Sequence, residues 1–544
     1  MVADRQGRQG AHEESWEPPP IQAAGAEGNN LWVVLAALML ATMLASLDQT
    51  VVATALPTIA GDLRGLNHLS WVVTAYMLTS TISTPLWGKL GDLHGRKRFF
   101  QVSIAIFLAG SALCGISQTM QELIVFRAIQ GIGGGGLLVG AQAIIGDLVS
   151  ARERGRYLGY FGAVFGFTSV AGPLLGGFFT QQLSWRWVFY VNIPFGLVTL
   201  VMVATRFHMP TRRRPHSLDY AGTALLSGGV SAVILMTTWG GGALSWTSPE
   251  MLSLGVTAVV LLGAFAVVET RTAEPLVPLA LFRERVFTVS SIVAFMVGFV
   301  LFGAIVYIPL YLQTVHGAAP TTSGLELVPM VVGMLATFIA SGRLITRYGR
   351  YKIFPVMGTA TIAIGLYLLS LMTPDTSMPV SSAFMFVIGL GMGAVLQVLV
   401  IAVQNAVPYN QLGTATSAAT FFRSIGGAFG VAVFGAIFNN RLFQLLPRFL
   451  PPKALAAISH RRITANPAQL KALPSQMHQG YVTAFSDALH TVFLTAVPFA
   501  MIAFLLTWLL KEVPLRDQVL VPLDAPEAGP ESLGTNLVRK HGSS

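Results

Sequence analysis

The chain has 544 residues, of which 53% are hydrophobic and only 11% are charged. A soluble domain carries about 25% charged residues, so this composition excludes an ordinary soluble protein and predicts a polytopic membrane protein. The long apolar runs lack the alternating pattern of barrel strands, and the predicted fold is therefore an all-α transmembrane bundle. The net charge of +10 does not indicate a nucleic-acid partner, because Lys and Arg lie in short clusters between apolar segments.

Fourteen segments are long and apolar enough to cross about 30 Å of hydrocarbon. They lie near residues 31–57, 68–87, 99–118, 122–148, 157–181, 186–206, 219–240, 250–269, 286–313, 324–345, 353–372, 380–406, 413–438 and 484–510. An even number places both termini on one side, and the distribution of Lys and Arg predicts that this side is the cytoplasm.

This count predicts five regions along the chain. They are a disordered cytoplasmic tail 1–30, an N-terminal six-helix half 31–206, a two-helix insert 207–275, a C-terminal six-helix half 276–510 and a cytoplasmic tail 511–544. The C-terminal half would contain an extracellular loop, 439–483, and the tail from Lys511 onward is predicted to be disordered.

Asp48 is the only charged residue in the apolar stretch 31–56. A carboxylate at membrane depth costs several kcal/mol, so it marks an ion pathway, a proton relay or a ligand site unless a neighbouring helix neutralises it for packing alone. Arg127 in the fourth span lies at a similar depth in the outer half of the bilayer. Because arginine keeps its proton, it needs an acceptor, and Asp48 is the candidate if spans 1 and 4 approach.

A sequence repeat divides the spans into two similar sets. The segment GKLGDLHGRKR begins at Gly88, and the related segment GRLITRYGRYK begins at Gly342, 254 residues later. The same offset relates Gly172 and Gly176 of span 5 to Gly426 and Gly430 of span 13. Duplicated halves with a site at their interface are typical of secondary transporters.

Several motifs in a fixed order resemble the major facilitator superfamily, specifically its 14-helix drug:proton antiporter branch of EmrB- and QacA-type multidrug exporters. The resemblance spans residues 31–510. It rests on LDQTVVATALP (47–57), GKLGDLHGRKR (88–98), RAIQGIGGG (127–135), AGPLLGG (171–177), WRWVFYVNIP (185–194) and YIPLYLQ (307–313). It implies two six-helix halves that alternate access to a central cavity, in a functional monomer.

The resemblance implies a conformational latch in the turn after span 2. Its members would be Gly88, Asp92, Gly95, Arg96 and Asp147. Asp92 would face the N-terminus of span 13 near Gly413 and Thr414, where a helix dipole stabilises an anion, and Arg96 would pair with Asp147. The alternative is a solvated loop that only sets topology. The second copy of the motif has Thr346 in place of Asp92, so no charged latch is predicted there.

Two further roles are implied by the resemblance. Asp48 and Arg127 would be the proton-coupling pair, with a purely structural ion pair as the alternative. Gly172, Pro173, Gly176 and Gly177 would form the antiporter motif, which is associated with the direction of exchange and favours export over uptake. The glycines from Gly131 to Gly136 also match GxGxxG, but without a preceding strand they indicate helix packing rather than a cofactor.

A substrate cavity is the least specific prediction. Its candidate residues are Glu326, Tyr307, Tyr311, Gln313, Gln404 and Phe421. Glu326 near the end of span 10 is as consistent with a solvated interfacial glutamate as with a substrate or proton site. The aromatic and amide side chains are as consistent with packing and hydrogen bonding between helices. Arg423 is an intramembrane cation for which the sequence suggests no partner or role.

These features predict a proton-coupled exporter of amphipathic, lipophilic and often cationic compounds in the cell membrane. The alternative is an exporter of an endogenous lipid, siderophore or secondary metabolite. No nucleotide-binding loop, zinc-protease helix or nucleophile elbow occurs in the sequence, so we predict no enzyme activity, cofactor or metal. The single cysteine, Cys114, also excludes an intramolecular disulfide. A channel would differ by lacking saturable proton coupling.

Overall fold

The structure is a computed structural model that describes residues 31–64, 68–207, 219–240, 244–272, 274–318, 320–450 and 474–516. The predicted tail 1–30 lies outside the described residues, as does most of the predicted tail 511–544. The described residues form helices, and their only β pairing is an isolated bridge between Gly240 and Leu244.

The N-terminal helices follow the predicted spans closely. Their bounds are α1 Leu31–Asp62, α2 Leu69–His94, α3 Arg96–Ile116, α4 Met120–Leu148, α5 Ala151–Gln182, α6 Trp187–Tyr190 and α7 Asn192–Arg206. The sixth predicted span is thus broken into α6 and α7 at Val191. Side-chain caps explain two of the helix starts, because Thr119 forms a capping box with Glu122 and Ser150 accepts from the backbone of Glu153.

The insert and the C-terminal helices complete the bundle. The insert is α8 Tyr220–Trp239 and α9 Pro249–Glu269, and the C-terminal helices are α10 Arg285–Ile305, α11 Tyr307–Thr314, α12 Pro320–Glu326, α13 Val328–Tyr348, α14 Ile353–Ser370, α15 Met378–Ala406, α16 Leu412–Phe449 and α17 Ser475–Trp508. The ninth and tenth predicted spans are therefore each broken into two helices.

In the described part of the chain, thirteen helical segments are long and apolar enough to cross a bilayer. The predicted span that is not among these thirteen is the second, 68–87, which corresponds to α2; its 26 residues would extend about 39 Å. It is less apolar than the others because it is rich in Ser and Thr and carries Lys89 and Asp92. The predicted all-α transmembrane fold is confirmed.

The two halves repeat one packing pattern. Gly172 and Gly176 of α5 lie against Thr50 and Thr54 of α1. At the related positions, Gly426 and Gly430 of α16 lie against the backbone of Phe295 and Phe299 of α10. The motif turns also correspond, since Gly95 and Gly349 have positive φ values of 96° and 69°, a conformation that favours glycine.

Two long helix pairs join the halves. Along α5 and α13, Gly155 lies against the backbone of Gly342, and Gly162 lies against the ring of Phe338. Between α2 and α16, Gly88 contacts Ser417. Small residues at these positions let the backbones approach closely, as is common between helices in membranes. The insert helix α8 packs beside α2 and α16 and buries Leu226, Val230 and Ile234 there.

The predicted extracellular loop 439–483 is helical at both ends, and its residues 451–473 lie outside the described residues. Helix α16 continues to Phe449, and α17 already begins at Ser475. The 38 residues of α16 would extend about 57 Å, well beyond the hydrocarbon core. The extension is stable as a helix because Leu442, Leu445 and Leu446 are buried in one cluster with Tyr481 and Phe485 of α17.

The predicted disorder from Lys511 onward is wrong for residues 511–516. This segment packs across the end of the bundle that carries the turn Gly88–Arg98, which we call the basic end. Asn405 donates hydrogen bonds to the carbonyls of Val513 and Pro514 at 3.4 and 3.2 Å. The Tyr351 hydroxyl accepts from the Val513 amide at 3.1 Å, and Leu515 is buried. Satisfied backbone groups and a buried side chain fix the segment.

The close α10–α16 contact generates a packing prediction. A Cβ at Gly430 would collide with the carbonyl of Phe299, whereas one at Gly263 of α9 would meet nothing within 4 Å. We expect Gly430→Ala to destabilise the protein by about 1–3 kcal/mol, since backbone atoms must move to admit the methyl group. Gly263→Ala is the matched control and should leave stability unchanged. Thermal unfolding of both purified variants in detergent tests this, and equal melting temperatures would contradict it.

Candidate functional site: a buried charge network and an interhelical ion cluster

Asp48 and Arg127 form an ion pair inside the N-terminal half. Arg127 Nη1 lies 2.6 Å from Asp48 Oδ2, and each residue is only 1% exposed. Helices α1 and α4 pack against each other in the N-terminal half. Because Asp48 and Arg127 lie at similar depths on these two helices, as the sequence predicted, their side chains meet. Burial of one partner without the other would leave an uncompensated charge, which is strongly destabilising.

Three polar side chains that the sequence did not single out complete this network. Gln130 Nε2 donates to Asp48 Oδ1 at 2.8 Å, and Asn192 Nδ2 donates to the same oxygen at 3.0 Å. Both amides also donate to Ser111 Oγ, at 2.6 and 3.0 Å. All three side chains are fully buried. The Asp48 carboxylate therefore accepts from an arginine and two amides, which is the environment of an ionised carboxylate.

The walls of the network are aromatic. The Arg127 guanidinium carbon lies 4.3 Å from the centre of the Tyr76 ring and 5.9 Å from that of Phe189. Arg127 Nε also donates to the Val72 carbonyl at 3.3 Å. Cation–π contacts of this kind add to the stability of a desolvated arginine. Two buried polar atoms beside the network, Tyr76 Oη and Asn192 Oδ1, have no hydrogen-bond partner among the described residues.

A second ionic cluster joins α2, α3, α4 and α16 at the basic end. Asp92 accepts hydrogen bonds from the amide of Gly413 at 3.0 Å and from the amide and hydroxyl of Thr414 at 2.7 and 2.9 Å. These amides are at the start of α16, where unsatisfied N–H groups and the helix dipole favour an anion. The contact that the resemblance implied for Asp92 is present, and it links the two halves.

Arg96 connects this anion to α4. Its Nη2 lies 2.7 Å from Asp92 Oδ1, and its Nη1 pairs with Asp147 and donates to the Ala143 carbonyl at 2.9 Å. Gly95 supplies the turn between α2 and α3, and Gly88 allows α2 to approach α16. The five predicted latch residues therefore lie within one cluster.

The sequence did not predict two other charged residues at the basic end. Arg154 is only 1% exposed and donates to the carbonyls of Gly146 and Val149 at the end of α4. Lys89 forms a 2.7 Å ion pair with Glu274 in the segment between the insert and α10. These contacts satisfy a helix C-terminus and hold the insert against α2.

The predicted antiporter motif lies along α5 between two helices. Gly172 and Gly176 contact α1, while Pro173 faces Gly324 of α12 in the other half. The carbonyls of Gly176 and Gly177 accept from the Thr180 hydroxyl at 2.8 and 3.1 Å. Thr50 of α1 also donates to the Thr168 carbonyl of α5 at 3.1 Å. The motif thus contacts α1 of its own half on one side and α12 of the C-terminal half on the other.

The candidate cavity residues are not gathered in one place. Tyr307 and Tyr311 are buried in the C-terminal core, where Tyr307 packs on Phe438 and Tyr311 donates to the Thr373 carbonyl at 2.8 Å. Phe421 is buried in the cluster beside the insert. Gln313 is half-buried at the end of α11. Their assignment to a substrate cavity stays a prediction.

Gln404 and Glu326 also have distinct surroundings. Gln404 is fully buried and donates to the Gln142 carbonyl at 3.2 Å and to Thr416 Oγ1 at 3.0 Å, so it bridges α15, α4 and α16. Glu326 lies at the break between α12 and α13, and its Oε2 is buried without a hydrogen bond among the described residues.

Comparison with known proteins decides the family. The sequence model of the Major Facilitator Superfamily matches residues 38–431. The chain belongs to this superfamily. It is therefore a multi-pass membrane transporter of small molecules, not an enzyme, as the sequence predicted.

Several relatives are named as multidrug transporters. The chain is 36% identical to the multidrug transporter protein MdtP of Bacillus subtilis, over 89% of this chain and 94% of that protein. It is 35% identical to multidrug resistance protein 3 of the same organism, over 86% and 93%. An uncharacterized MFS-type transporter of Mycobacterium tuberculosis is 42% identical over 89% of this chain and 70% of that protein.

A solved structure supports the fold alone. The proton:xylose symporter XylE aligns with a TM-score of 0.60 at 14% sequence identity, over 90% of this chain and 97% of that chain. At this identity the alignment carries no information about the substrate.

The Asp92 contacts generate a prediction about the latch role, which we propose for this cluster. In a Cys114→Ser background, Ser417→Cys places a thiol in the buried contact with Gly88. We expect Asp92→Asn to raise the rate of maleimide labelling of that thiol about 10- to 100-fold, because hydrogen bonds to a charged group contribute about 1.5–3 kcal/mol. The rate is measured in membranes by mass shift.

Arg98→Gln is the matched control for this experiment. Arg98 is exposed in the same motif and forms no ion pair with α16 among the described residues, so its neutralisation should leave labelling unchanged. If both variants label at the wild-type rate, the motif only sets topology and the latch proposal is wrong.

Proposed function

We propose that this protein is a proton-driven exporter of lipophilic, amphipathic compounds that works by alternating access. The single observation that carries this proposal is the buried carboxylate of Asp48, held by Arg127, Gln130 and Asn192. Ionisable groups at membrane depth are costly and mark ion pathways. The relatives named as multidrug transporters and efflux pumps support export of foreign compounds.

Protonation of Asp48 would change the network in two ways. It would remove the counter-charge of Arg127, and it would convert one carboxylate oxygen from an acceptor into a donor. Arg127, Gln130 and Asn192 all direct donors at this carboxylate, so the protonated form cannot keep the same set of hydrogen bonds. The helices must then adjust, and this adjustment is our proposed link between proton binding and conformation.

The ion cluster at the basic end would close the cytoplasmic side while Asp48 is ionised. In this proposal Asp92, Arg96 and Asp147 hold α2, α3, α4 and the start of α16 together, and release of that cluster opens the cavity inward. Pro173 and the neighbouring glycines of α5 would allow the halves to rock against each other. Both termini would be cytoplasmic, in the cell membrane, and the transporter would act as a monomer.

Export of an endogenous secondary metabolite is a second candidate. It is favoured by one relative, the acurin A biosynthesis cluster MFS-type transporter of Aspergillus aculeatus, which is 31% identical over 93% of this chain. Metabolite profiling of a deletion strain separates this function from general drug export.

The central test concerns Asp48. In inside-out vesicles with an acidified lumen, we expect ethidium or rhodamine 6G to collapse the pH gradient when the wild-type protein is present. Asp48→Asn should abolish this substrate-dependent proton efflux, because the side chain can no longer bind and release a proton. The measurement is the recovery of acridine orange fluorescence after addition of the compound.

Two further variants make this result interpretable. Asp48→Asn leaves Arg127 unpaired, which we expect to cost about 3–5 kcal/mol of stability. The double variant Asp48→Asn with Arg127→Gln removes both charges and should fold better while remaining uncoupled. Asp487→Asn is the control, because Asp487 is an exposed carboxylate of α17. Proton efflux that persists in both Asp48 variants would place the coupling site elsewhere.

A further inference from the structure

Arg423 lies deep in the membrane-spanning part of α16. It is eleven residues beyond Leu412, the first residue of the helix, which corresponds to about 17 Å along the axis. The hydrocarbon core is about 30 Å thick, so this depth is close to the middle of the bilayer. The backbone of α10 passes nearby, because Gly298 lies against the Arg423 carbonyl.

No acceptor holds the Arg423 guanidinium among the described residues. It forms no ion pair and no hydrogen bond there, in contrast to Arg127 and Arg96. From α10 to Arg516, the described acidic residues are Glu326, Asp375, Asp487 and Glu512. Three of them lie at helix ends or in connecting segments, and the fourth, Asp487, lies within α17 but is exposed. An intramembrane cation is costly without a partner, and the described residues supply none for Arg423.

Arg423 lines a small cavity. Its lining comes from three helices, and apart from Arg423 and Thr420 it is apolar: Ala294 and Val297 of α10, Leu396, Leu399 and Val400 of α15, and Ala419 of α16. Thr420 is 6% exposed, and its hydroxyl has no hydrogen-bond partner among the described residues. Two polar groups without partners thus meet at one apolar cavity, the usual composition of a ligand site.

We propose that Arg423 and Thr420 form a recognition site for the anionic group of an amphipathic substrate, foremost a carboxylate. The planar guanidinium binds a carboxylate through two parallel hydrogen bonds, and the threonine hydroxyl supplies a third. The apolar lining excludes water and strengthens this attraction. The positive charge at this site favours anionic and zwitterionic groups, so a lipophilic cation such as ethidium would bind at another part of the transport route.

This inference rests on the proposed export function in one respect: it requires that the exported substrate passes this cavity. It differs from the expectation that substrates are often cationic. The inside-negative membrane potential drives an anion outward, so export of an anion needs less work from the proton gradient than export of a cation.

Equilibrium binding to purified protein in lipid nanodiscs tests the site. The probes are 11-(dansylamino)undecanoic acid and its primary amide, which have the same apolar body and differ in the charge of one end. Binding to protein-free nanodiscs is subtracted. We expect the wild-type protein to bind the acid at least tenfold more tightly than the amide.

Variants of α16 assign this preference to the site. Arg423→Gln should lower affinity for the acid at least tenfold and leave affinity for the amide unchanged, whereas Arg423→Lys should retain part of the preference. Thr420→Val should weaken acid binding by a smaller factor. Arg448→Gln is the matched control, because Arg448 is an exposed cation on the same helix. Size-exclusion chromatography checks that each variant is folded.

Two outcomes would overturn the proposal. They are equal affinity of the wild-type protein for acid and amide, or an acid preference that survives in Arg423→Gln. The wild-type comparison decides the first outcome even if a variant fails to fold. The assay uses no proton gradient, so its failure leaves proton coupling at Asp48 untouched, and loss of the coupling proposal leaves this binding result standing.

Discussion

The structure depends on one constraint: a charge placed inside the membrane must be matched by an opposite charge and by hydrogen bonds. Asp48 meets this constraint through donors from α4 and α7, and those donors are in turn fixed by Ser111 of α3 and the Val72 carbonyl of α2. Five helices of the N-terminal half are therefore tied to one carboxylate. Any change in the charge of that carboxylate must be accommodated by all of them.

The same helix carries the second cluster. Arg127 is near the start of α4, and Asp147 is at its end, twenty residues or about 30 Å away. The Asp48 network and the Asp92–Arg96–Asp147 cluster are thus held at opposite ends of one rigid element. A rigid element with a charge-dependent contact at each end supplies a physical route for coupling, because both clusters act on its position relative to the partner half.

Sequence reasoning succeeded where helix geometry or a specific motif supplied the constraint. The fixed rise of a helix placed Asp48 and Arg127 at similar depth, and the family motif implied the contact of Asp92 with the start of α16. It missed Gln130 and Asn192 because they carry no charge, and an uncharged amide in a span is equally consistent with ordinary hydrogen bonding between helices. The available signal was position: Gln130 lies one helical turn after Arg127, and Asn192 is the one amide of its predicted span, 186–206.

Other errors have a common physical origin. Hydropathy marks the membrane boundary, not the end of the helix, so the extension of α16 to Phe449 was taken for loop. The breaks at Val191, Val306 and Leu327 left no hydropathy signal because both flanking segments are apolar. The ordered segment 511–516 is stabilised by Asn405 and Tyr351, which are distant in sequence, and such contacts are invisible without a structure.

Arg127 and Arg423 illustrate two ways in which a membrane protein keeps an arginine at depth. Both are permanently charged, but Arg127 is closed off by Asp48, Gln130 and aromatic rings, while Arg423 is half-buried beside an apolar cavity. A matched charge can be sealed from water at little net cost, whereas a charge without an internal acceptor must stay accessible to solvent or ligand. The difference in accessibility therefore follows from the difference in partners. It agrees with our two proposals, which place proton binding in the N-terminal half and recognition of the substrate charge in the C-terminal half.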